Sequence, residues 1–239
     1  MSISNCPACD GKVSTSALTC PHCGHPVWTK NIARLRRPFA ARVRALRSVG
    51  GFCLAVIFLS ALVWFSDSAL RFLALAPSGS DAQSALPLSL FTYAFVHPHL
   101  SFLFWSLISV ILAGLILETR IGSRTTLLII LGGILIPGIV WMAFGEGEAL
   151  ITGSSGVFYA MVGGVVALWQ RLGSKLNLPE RILIWIIVAW AALGTISAIL
   201  SPLITWTSIA GIPVGYGIAL AFSPPFRAPM EDITEKGTS

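Results

Sequence analysis

The stretch Thr152-Gly153-Ser154-Ser155-Gly156-Val157-Phe158-Tyr159-Ala160 places a small polar run at the start of an apolar segment that continues to about Trp169. Glycines beside a serine let another backbone or a substrate approach closely. Free N–H groups at the start of a helix can face a developing negative charge. The pattern therefore fits a serine nucleophile beside an oxyanion site. Small residues at this spacing are also typical of contacts between membrane helices, so both interpretations stay open at this point.

The composition of the chain indicates a membrane protein that crosses the bilayer several times. Hydrophobic residues make up 55% of its 239 residues and charged residues only 11%, and the mean hydropathy is +0.80. Charged residues normally form about a quarter of a soluble chain. A soluble domain of this length has no need of so much apolar sequence.

Two Cys-x-x-C pairs near the N-terminus predict a small metal-binding domain over residues 1–28. They are Cys6-Pro-Ala-Cys9 and Cys20-Pro-His-Cys23. Four thiolates at this spacing suit a structural, tetrahedral Zn²⁺ with no open position. Two disulfides are the alternative, which a reducing cytoplasm disfavours. The purpose of this zinc ribbon is not evident from the sequence, and no aromatic-basic face predicts nucleic acid as a partner.

A basic segment follows over residues 29–48. Its cations are Lys30, Arg34, Arg36, Arg37, Arg42, Arg44 and Arg47. Nucleic acid is one conceivable partner for such a run. A cytoplasmic juxtamembrane cluster held by anionic lipid over residues 30–47 fits better, because an apolar segment begins directly after it.

Six apolar segments predict an all-α membrane domain over residues 49–223. The spans are 49–66, 100–118, 125–144, 155–170, 182–200 and 206–223. Most approach the roughly 20 residues that cross a bilayer. The basic loops lie after the second and fourth segments, which places both termini in the cytoplasm and the Ser155 end outside. The tail 224–239, rich in proline at its start, is predicted to be unstructured.

The order of four motifs resembles the rhomboid intramembrane serine proteases from about Leu88 to Phe222. The first is Phe91-Thr92-x-Ala94-Phe95-Val96-His97, and the second is Glu118-Thr119-Arg120 before Ile121-Gly122-Ser123. The nucleophile motif matches Gly153–Ala160, and Ser208-Ile209-Ala210-Gly211-Ile212-Pro213-Val214-Gly215 matches the last helix. The resemblance implies a six-helix bundle in which Ser155 is the nucleophile, with Tyr159 one turn further on. It implies that Gly211 and Gly215 pack the last helix against the fourth, and that Glu118, Arg120 and His97 are structural. We expect Glu118 and Arg120 to pair with each other or with a neighbouring loop.

The catalytic base of that family is missing here. Its histidine lies three residues before the first glycine of the last helix, where this chain has Ser208, and no histidine follows His99. The family's oxyanion histidine and asparagine fall at Phe102 and Ser106. None of the six segments contains a lysine, which excludes a Ser-Lys pair. A serine hydroxyl without a base is a weak nucleophile.

The resemblance and the missing base together predict a proteolytically inactive rhomboid-like protein that binds transmembrane segments of client proteins. The alternative is an active protease in which His97 or His99 serves Ser155 as base. A small transporter or channel is disfavoured, since the segments contain almost no ionisable residues. A further possibility makes the zinc ribbon the working part and the membrane domain its anchor. A bacterial inner membrane is the expected location.

Overall fold

The computed structural model describes residues 3–6, 9, 11–14, 21–23, 47–79, 87–145, 150–173, 176, 178–200 and 206–222. The chain divides into two compact units, residues 1–45 and 46–239. The basic segment 30–47, apart from Arg47, and the tail 224–239 lie outside the described residues, as does Cys20.

The first unit contains a short antiparallel hairpin. Strand β1 (Ile3–Asn5) pairs with strand β2 (Lys12–Ser14), with Ser4 opposite Val13. The amide of Cys6 donates to the carbonyl of Gly11 at 2.9 Å and closes the turn between the strands. The hairpin thereby holds the first cysteine pair at one end.

The second unit is helical, because its apolar runs satisfy their backbone hydrogen bonds internally, as a bilayer requires. Its helices are α1 (Arg47–Trp64), α2 (Asp67–Leu73), α3 (Leu88–Thr92), α4 (Leu100–Ile121), α5 (Ser123–Phe144), α6 (Ser155–Leu172), α7 (Leu178–Leu200), α8 (Trp206–Ile209) and α9 (Gly211–Phe222). A 3₁₀ turn covers Tyr93–Phe95. Among the described helices, α1, α4, α5 and α7 are long and apolar enough to cross a membrane. The predicted membrane-embedded helical fold is thus confirmed.

The sequence predicts a single helix over the last apolar segment, 206–223, and the structure has two helices there. Helix α8 ends at Ile209 and α9 begins at Gly211, with a turn at Ala210 between them. The amide of Ala210 donates to the carbonyl of Thr207, three residues back, at 3.2 Å. The chain therefore makes a tighter turn here than the α-helix, in which each amide bonds to the fourth residue back. The break comes directly before Gly211, whose backbone lies against Gly156 of α6, in a segment whose hydropathy predicts one continuous helix.

Helix α6 is the centre of the bundle. Thirteen of its 18 residues are buried, which no other described helix approaches. A helix that is buried on all sides must be surrounded by neighbours. The site that begins at Ser155 is therefore attached to the most enclosed element of the fold.

Glycines allow α9 to lie directly against the backbone of α6. A methyl group at Gly215 would lie 1.7 Å from the carbonyl oxygen of Ala160, and one at Gly211 would lie 2.5 Å from that of Gly156. The contact is reciprocal, since a methyl group at Gly163 would lie 2.0 Å from the carbonyl oxygen of Ile212. Only residues without a side chain permit this approach.

The loop before α6 is fixed by two backbone contacts. Leu75 and Ile151 form an isolated antiparallel bridge, with amide-to-carbonyl distances of 3.1 and 2.9 Å. Two residues later the amide of Gly153 donates to the carbonyl of Tyr93 at 2.9 Å. The long connection between α1 and α4 therefore holds the chain that leads into Ser155.

We expect Gly215→Ala to destabilise the membrane domain by about 1–3 kcal/mol or more, because the added methyl forces the two backbones apart. Gly217→Ala is the matched control, since a methyl there has nothing within 4 Å and alanine favours the helix. Thermal unfolding in detergent measures both variants. Equal midpoints for the two would contradict the direct backbone contact.

Candidate functional site

The turn that enters α6 depends on a glycine at position 153. Its φ is +99°, a conformation that side chains disfavour. Ser154 follows and is buried, whereas Ser155, the first residue of α6, is exposed. The turn thus directs two consecutive serines into different surroundings.

The hydroxyl of Ser155 meets the hydroxyl of Ser208. The two Oγ atoms lie 2.8 Å apart, a normal hydrogen bond between hydroxyls. Ser208 lies on the short helix α8 and is buried. The structure therefore brings the predicted nucleophile position against the predicted base position, and the group at the second position is a hydroxyl.

A second serine pair lies beside the first. The hydroxyl of Ser106, on α4, is hydrogen-bonded to the hydroxyl of Ser154. The sequence placed Ser106 at an oxyanion position. Its short side chain is occupied with the residue before Ser155, and Phe102 at the other oxyanion position carries no hydrogen-bond donor.

His97 braces the serine turn. Its Nε2 accepts from the amide of Ser154 at 3.4 Å, and its Nδ1 lies 3.5 Å from the hydroxyl of Ser60 on α1. Its own amide donates to that hydroxyl at 3.0 Å. Burial lowers the pKa of His97 to about 4. The ring is therefore neutral near pH 7, and its accepting nitrogen is directed at a backbone amide.

His99 has other surroundings. It occupies the position before the first residue of α4 without a capping bond from its side chain. Its ring is exposed and packs edge-on against Phe102, with 5.8 Å between the ring centroids.

Tyr159 connects α6 to α7. Its hydroxyl lies 3.1 Å from the hydroxyl of Thr195 and donates to the carbonyl of Ala191 at 3.3 Å. The ring itself is buried. Tyr159 therefore joins the serine helix to the helix that follows it.

A cavity of about 520 Å³ is lined by Ser106, Ser154, Ser155, His97 and Tyr159, among others. Its walls come from the start of α4, from the turn before α6, from α6 and from α7. Trp105 of α4 and Trp190 of α7 close one side, with 5.0 Å between their ring centroids. Among the described lining residues, only His97 and Tyr159 have ionisable side chains, and none is an aspartate, glutamate, lysine or arginine.

Glu118 and Arg120 lie at the far end of α4, and each contacts a different helix. The buried carboxylate of Glu118 accepts from the amides of Ser48 and Val49 at 2.8 and 3.2 Å, which caps the start of α1. Arg120 forms a salt bridge with Glu180 at the start of α7, with Nε 3.0 Å from Oε1. Each of the two residues thus pairs with the end of a neighbouring helix. The sequence allowed Glu118 to pair with Arg120 or with a neighbouring segment, and the structure has the second arrangement.

The first unit brings three cysteines together. The Sγ atoms of Cys6, Cys9 and Cys23 all lie within 4.8 Å of one another. Cys6 and Cys23 are 3.8 Å apart at sulfur, far beyond the roughly 2.05 Å of a disulfide. Thiolates around one tetrahedral metal at about 2.3 Å lie about 3.8 Å apart. This cluster can therefore hold a metal ion.

The fold and the cavity define an integral membrane protein whose helical bundle surrounds a group of serine hydroxyls. The family model of the Rhomboid domain matches residues 86–225, more than half of the chain. The chain belongs to the rhomboid family, and the predicted resemblance is confirmed. Residues 4–29 match Uncharacterised protein family UPF0547. No curated protein matches the chain.

Several residues of the site were not found by sequence reasoning. Ser60 is a polar residue inside an apolar segment, a signal that marks buried polar contacts in membrane helices. Thr195 carries the same signal. Glu180 lies in the first turn of α7, where an acidic side chain is favoured by the free amides of the helix start. A cation from another helix can pair with it there. Their partners follow only from the packing of the helices.

We expect Glu118→Ala to destabilise the protein by about 2–3 kcal/mol, because two amides at the start of α1 lose a charged acceptor. Glu118→Gln, which keeps one acceptor oxygen, should lose less. Thr119→Ala is the control, since Thr119 is exposed and bonds only to carbonyls of its own helix. Unfolding by sodium dodecyl sulfate in mixed micelles measures all three. A loss in Thr119→Ala as large as that in Glu118→Ala would refute the capping role.

Proposed function

We propose that this rhomboid-family membrane protein is proteolytically inactive and binds transmembrane segments of client proteins. The observation that carries the first half is the 2.8 Å contact between the hydroxyls of Ser155 and Ser208. Proton removal from a nucleophilic serine needs a base, and the hydroxyl of Ser208 cannot act as one near neutral pH. In a soluble serine protease, loss of the base lowers turnover by about 10⁶-fold.

An active protease with His97 as base is the second candidate, because His97 lines the same cavity as Ser155. Two observations weigh against it. The accepting nitrogen of His97 is engaged with the amide of Ser154, and a pKa of about 4 makes the ring a poor proton acceptor. His99 is exposed and packs edge-on against Phe102. It is therefore a weaker candidate for the base than His97.

Client binding is supported by the loose packing of α7, which forms one wall of the cavity opposite α4. Helix α7 is the least embedded of the four candidate spans, with 17% of its apolar window buried against 33–39% for the others. Near the cavity it contributes Trp190 to the pair with Trp105 and accepts the hydroxyl of Tyr159, and two of its residues, Ile187 and Ala191, are buried. A weakly packed helix separates from its neighbour at small cost. A client helix would then meet the serine hydroxyls from the side of the lipid.

Orientation is part of the proposal. In this proposal both termini face the cytoplasm of a bacterial cell, because Arg120, Arg124 and Arg171 lie at helix ends beside the start of α1 and the end of α9. A C-terminal tag should resist external protease in intact cells, and its digestion would contradict this arrangement.

The cleavage test compares wild type, Ser155→Ala and Ser208→His in proteoliposomes with a single-span substrate. We expect no Ser155-dependent cleavage by wild type. Ser208→His should cleave about 10²-fold or more faster than wild type, because it restores a base beside Ser155. Ser109→His is the matched control, since Ser109 lines the cavity beside Ser155 but bonds to the carbonyl of Trp105. Cleavage by wild type that Ser155→Ala abolishes would overturn the proposal and direct attention to His97.

Client capture is tested with a photoreactive phenylalanine at position 190 and the same substrate helix. We expect crosslinks from this position and few from position 139 on α5, where Ile139 is exposed but outside the cavity. Equal crosslinking from both positions would mean that contact is random in the bilayer.

We further propose that the metal held by the cysteine cluster is Zn²⁺, with Cys20 as fourth ligand. Sulfur ligands favour zinc over harder ions, and the sulfur spacing of 3.8 Å supports it. The site would be structural and would tie the hairpin to the second cysteine pair.

Elemental analysis of the purified full chain should give about one zinc per chain. Cys23→Ser should lose most of it, because a ligand is removed. Cys53→Ser should retain it, since Cys53 is buried in α1 of the other unit. Full zinc content in Cys23→Ser would contradict this assignment.

A further inference from the structure

His97 connects the first helix of the bundle to the turn that carries Ser155. Its backbone is bound to α1 on both sides, because the indole of Trp64 donates to its carbonyl at 3.0 Å and its own amide donates to the hydroxyl of Ser60 at 3.0 Å. Its ring is 4% exposed and meets the amide of Ser154 through Nε2. A single buried side chain thus joins α1 to the turn before α6.

The surroundings of the ring determine which nitrogen carries its proton. Nδ1 lies 3.5 Å from the hydroxyl oxygen of Ser60. That hydroxyl donates its only hydrogen to the carbonyl of Phe95 at 3.1 Å, so it can only accept from Nδ1. A neutral ring with its proton on Nδ1 keeps a lone pair on Nε2. This lone pair accepts the amide of Ser154, and Ser60 therefore sets the direction of the whole chain of hydrogen bonds.

A second proton on the ring has no acceptor. It would sit on Nε2 and face the N–H of Ser154, so two donors would point at each other. Among the described residues, those that contact His97 offer hydroxyl, indole and backbone groups, with no carboxylate to balance a positive ring. The neighbouring cavity wall adds Pro98, Phe102 and Ser106, which are also uncharged, and the exposed His99 supplies no negative charge. Burial of an unpaired charge is costly.

We propose that His97 is an acid-sensitive switch: a proton on Nε2 breaks the contact with Ser154 and releases the turn 152–154 from α1. The same turn lines the serine cavity, so its release opens the cavity wall on the side of this turn. The bridge between Leu75 and Ile151 lies outside the contact that breaks, and the change is therefore local. This goes beyond the proposed function and holds whether or not client helices bind.

The pH range of the switch follows from two protonation equilibria. Burial lowers the pKa of His97 from 6.5 to about 4 in the closed turn, although a hydrogen bond to the carbonyl of Phe95 opposes part of this effect. A released, hydrated ring regains its ordinary pKa. The open turn therefore binds the proton more readily, and the closed turn loses stability as the pH falls from about 6.5 to about 4. The opening equilibrium should increase roughly 30-fold between pH 7 and pH 5.

Hydrogen–deuterium exchange of the full chain in nanodiscs tests the switch, with labelling times corrected for the intrinsic effect of pH on amide exchange. We expect peptides over 150–156 to lose protection roughly 30-fold between pH 7 and pH 5, while peptides over 157–168 of α6 keep theirs. His97→Gln has a side-chain carbonyl that accepts a hydrogen bond and does not titrate, so its protection should be equal at both pH values. Unchanged protection in wild type, or an equal loss in His97→Gln, would overturn the proposal.

The role of Ser60 is tested at pH 7. In ¹⁵N spectra of histidine-labelled wild type, the signal that is missing from His97→Gln should show its proton on Nδ1. Ser60→Ala removes the acceptor for that proton, so part of the signal should move to the other tautomer and the turn should lose protection about tenfold. Thr126→Ala is the control, because Thr126 is equally buried but bonds to the carbonyl of Gly122. A wild-type proton on Nε2, or an unchanged tautomer in Ser60→Ala, would refute the switch.

Discussion

The rest of the membrane domain depends on the contact between the backbones of α6 and α9. Gly211 and Gly215 on one helix and Gly163 on the other leave no room for a side chain between them. Such close packing fixes both the distance and the rotation of two helices, because a shift in either creates clashes with carbonyl oxygens. The short helix α8, which precedes α9, is thereby held over the start of α6. The contact between Ser155 and Ser208 is a consequence of this arrangement.

The site that results is polar but carries no charge. Two pairs of hydroxyls, Ser155 with Ser208 and Ser106 with Ser154, satisfy each other in a space next to lipid. Buried hydroxyls that pair internally cost little in an apolar environment, whereas a histidine that ionises during each reaction cycle needs charged or strongly polar support. The two serine pairs therefore need no charged partner in this cavity. Glycine contacts hold α6 and α9 together, and the serine pairs lie beside that contact.

At the end of the bundle away from the serine pairs, charged side chains hold the helices together. Glu118 caps α1 and Arg120 binds Glu180 of α7, so α4 connects the first long helix to the fifth apolar segment. Charged groups near helix ends are tolerated because they satisfy free amides or each other. Near the cavity, α7 contributes Trp190 to the aromatic pair and accepts the Tyr159 hydroxyl at the carbonyl of Ala191. The ion pair thus anchors the start of α7, and the cavity lies against its later turns.

The sequence by itself determined the membrane class, the family, the approximate extent of the apolar segments and the cysteine cluster, because hydropathy, motif order and Cys spacing are local properties of the chain. It also placed Ser208 opposite Ser155, since the resemblance aligned both motifs. Tertiary structure alone decided the break at Ala210, the partners of Glu118, Arg120 and Tyr159, and the pairing of Ser106 with Ser154. Each of these depends on which atoms of distant segments come within about 3 Å, and that distance follows from helix packing, which no local pattern encodes.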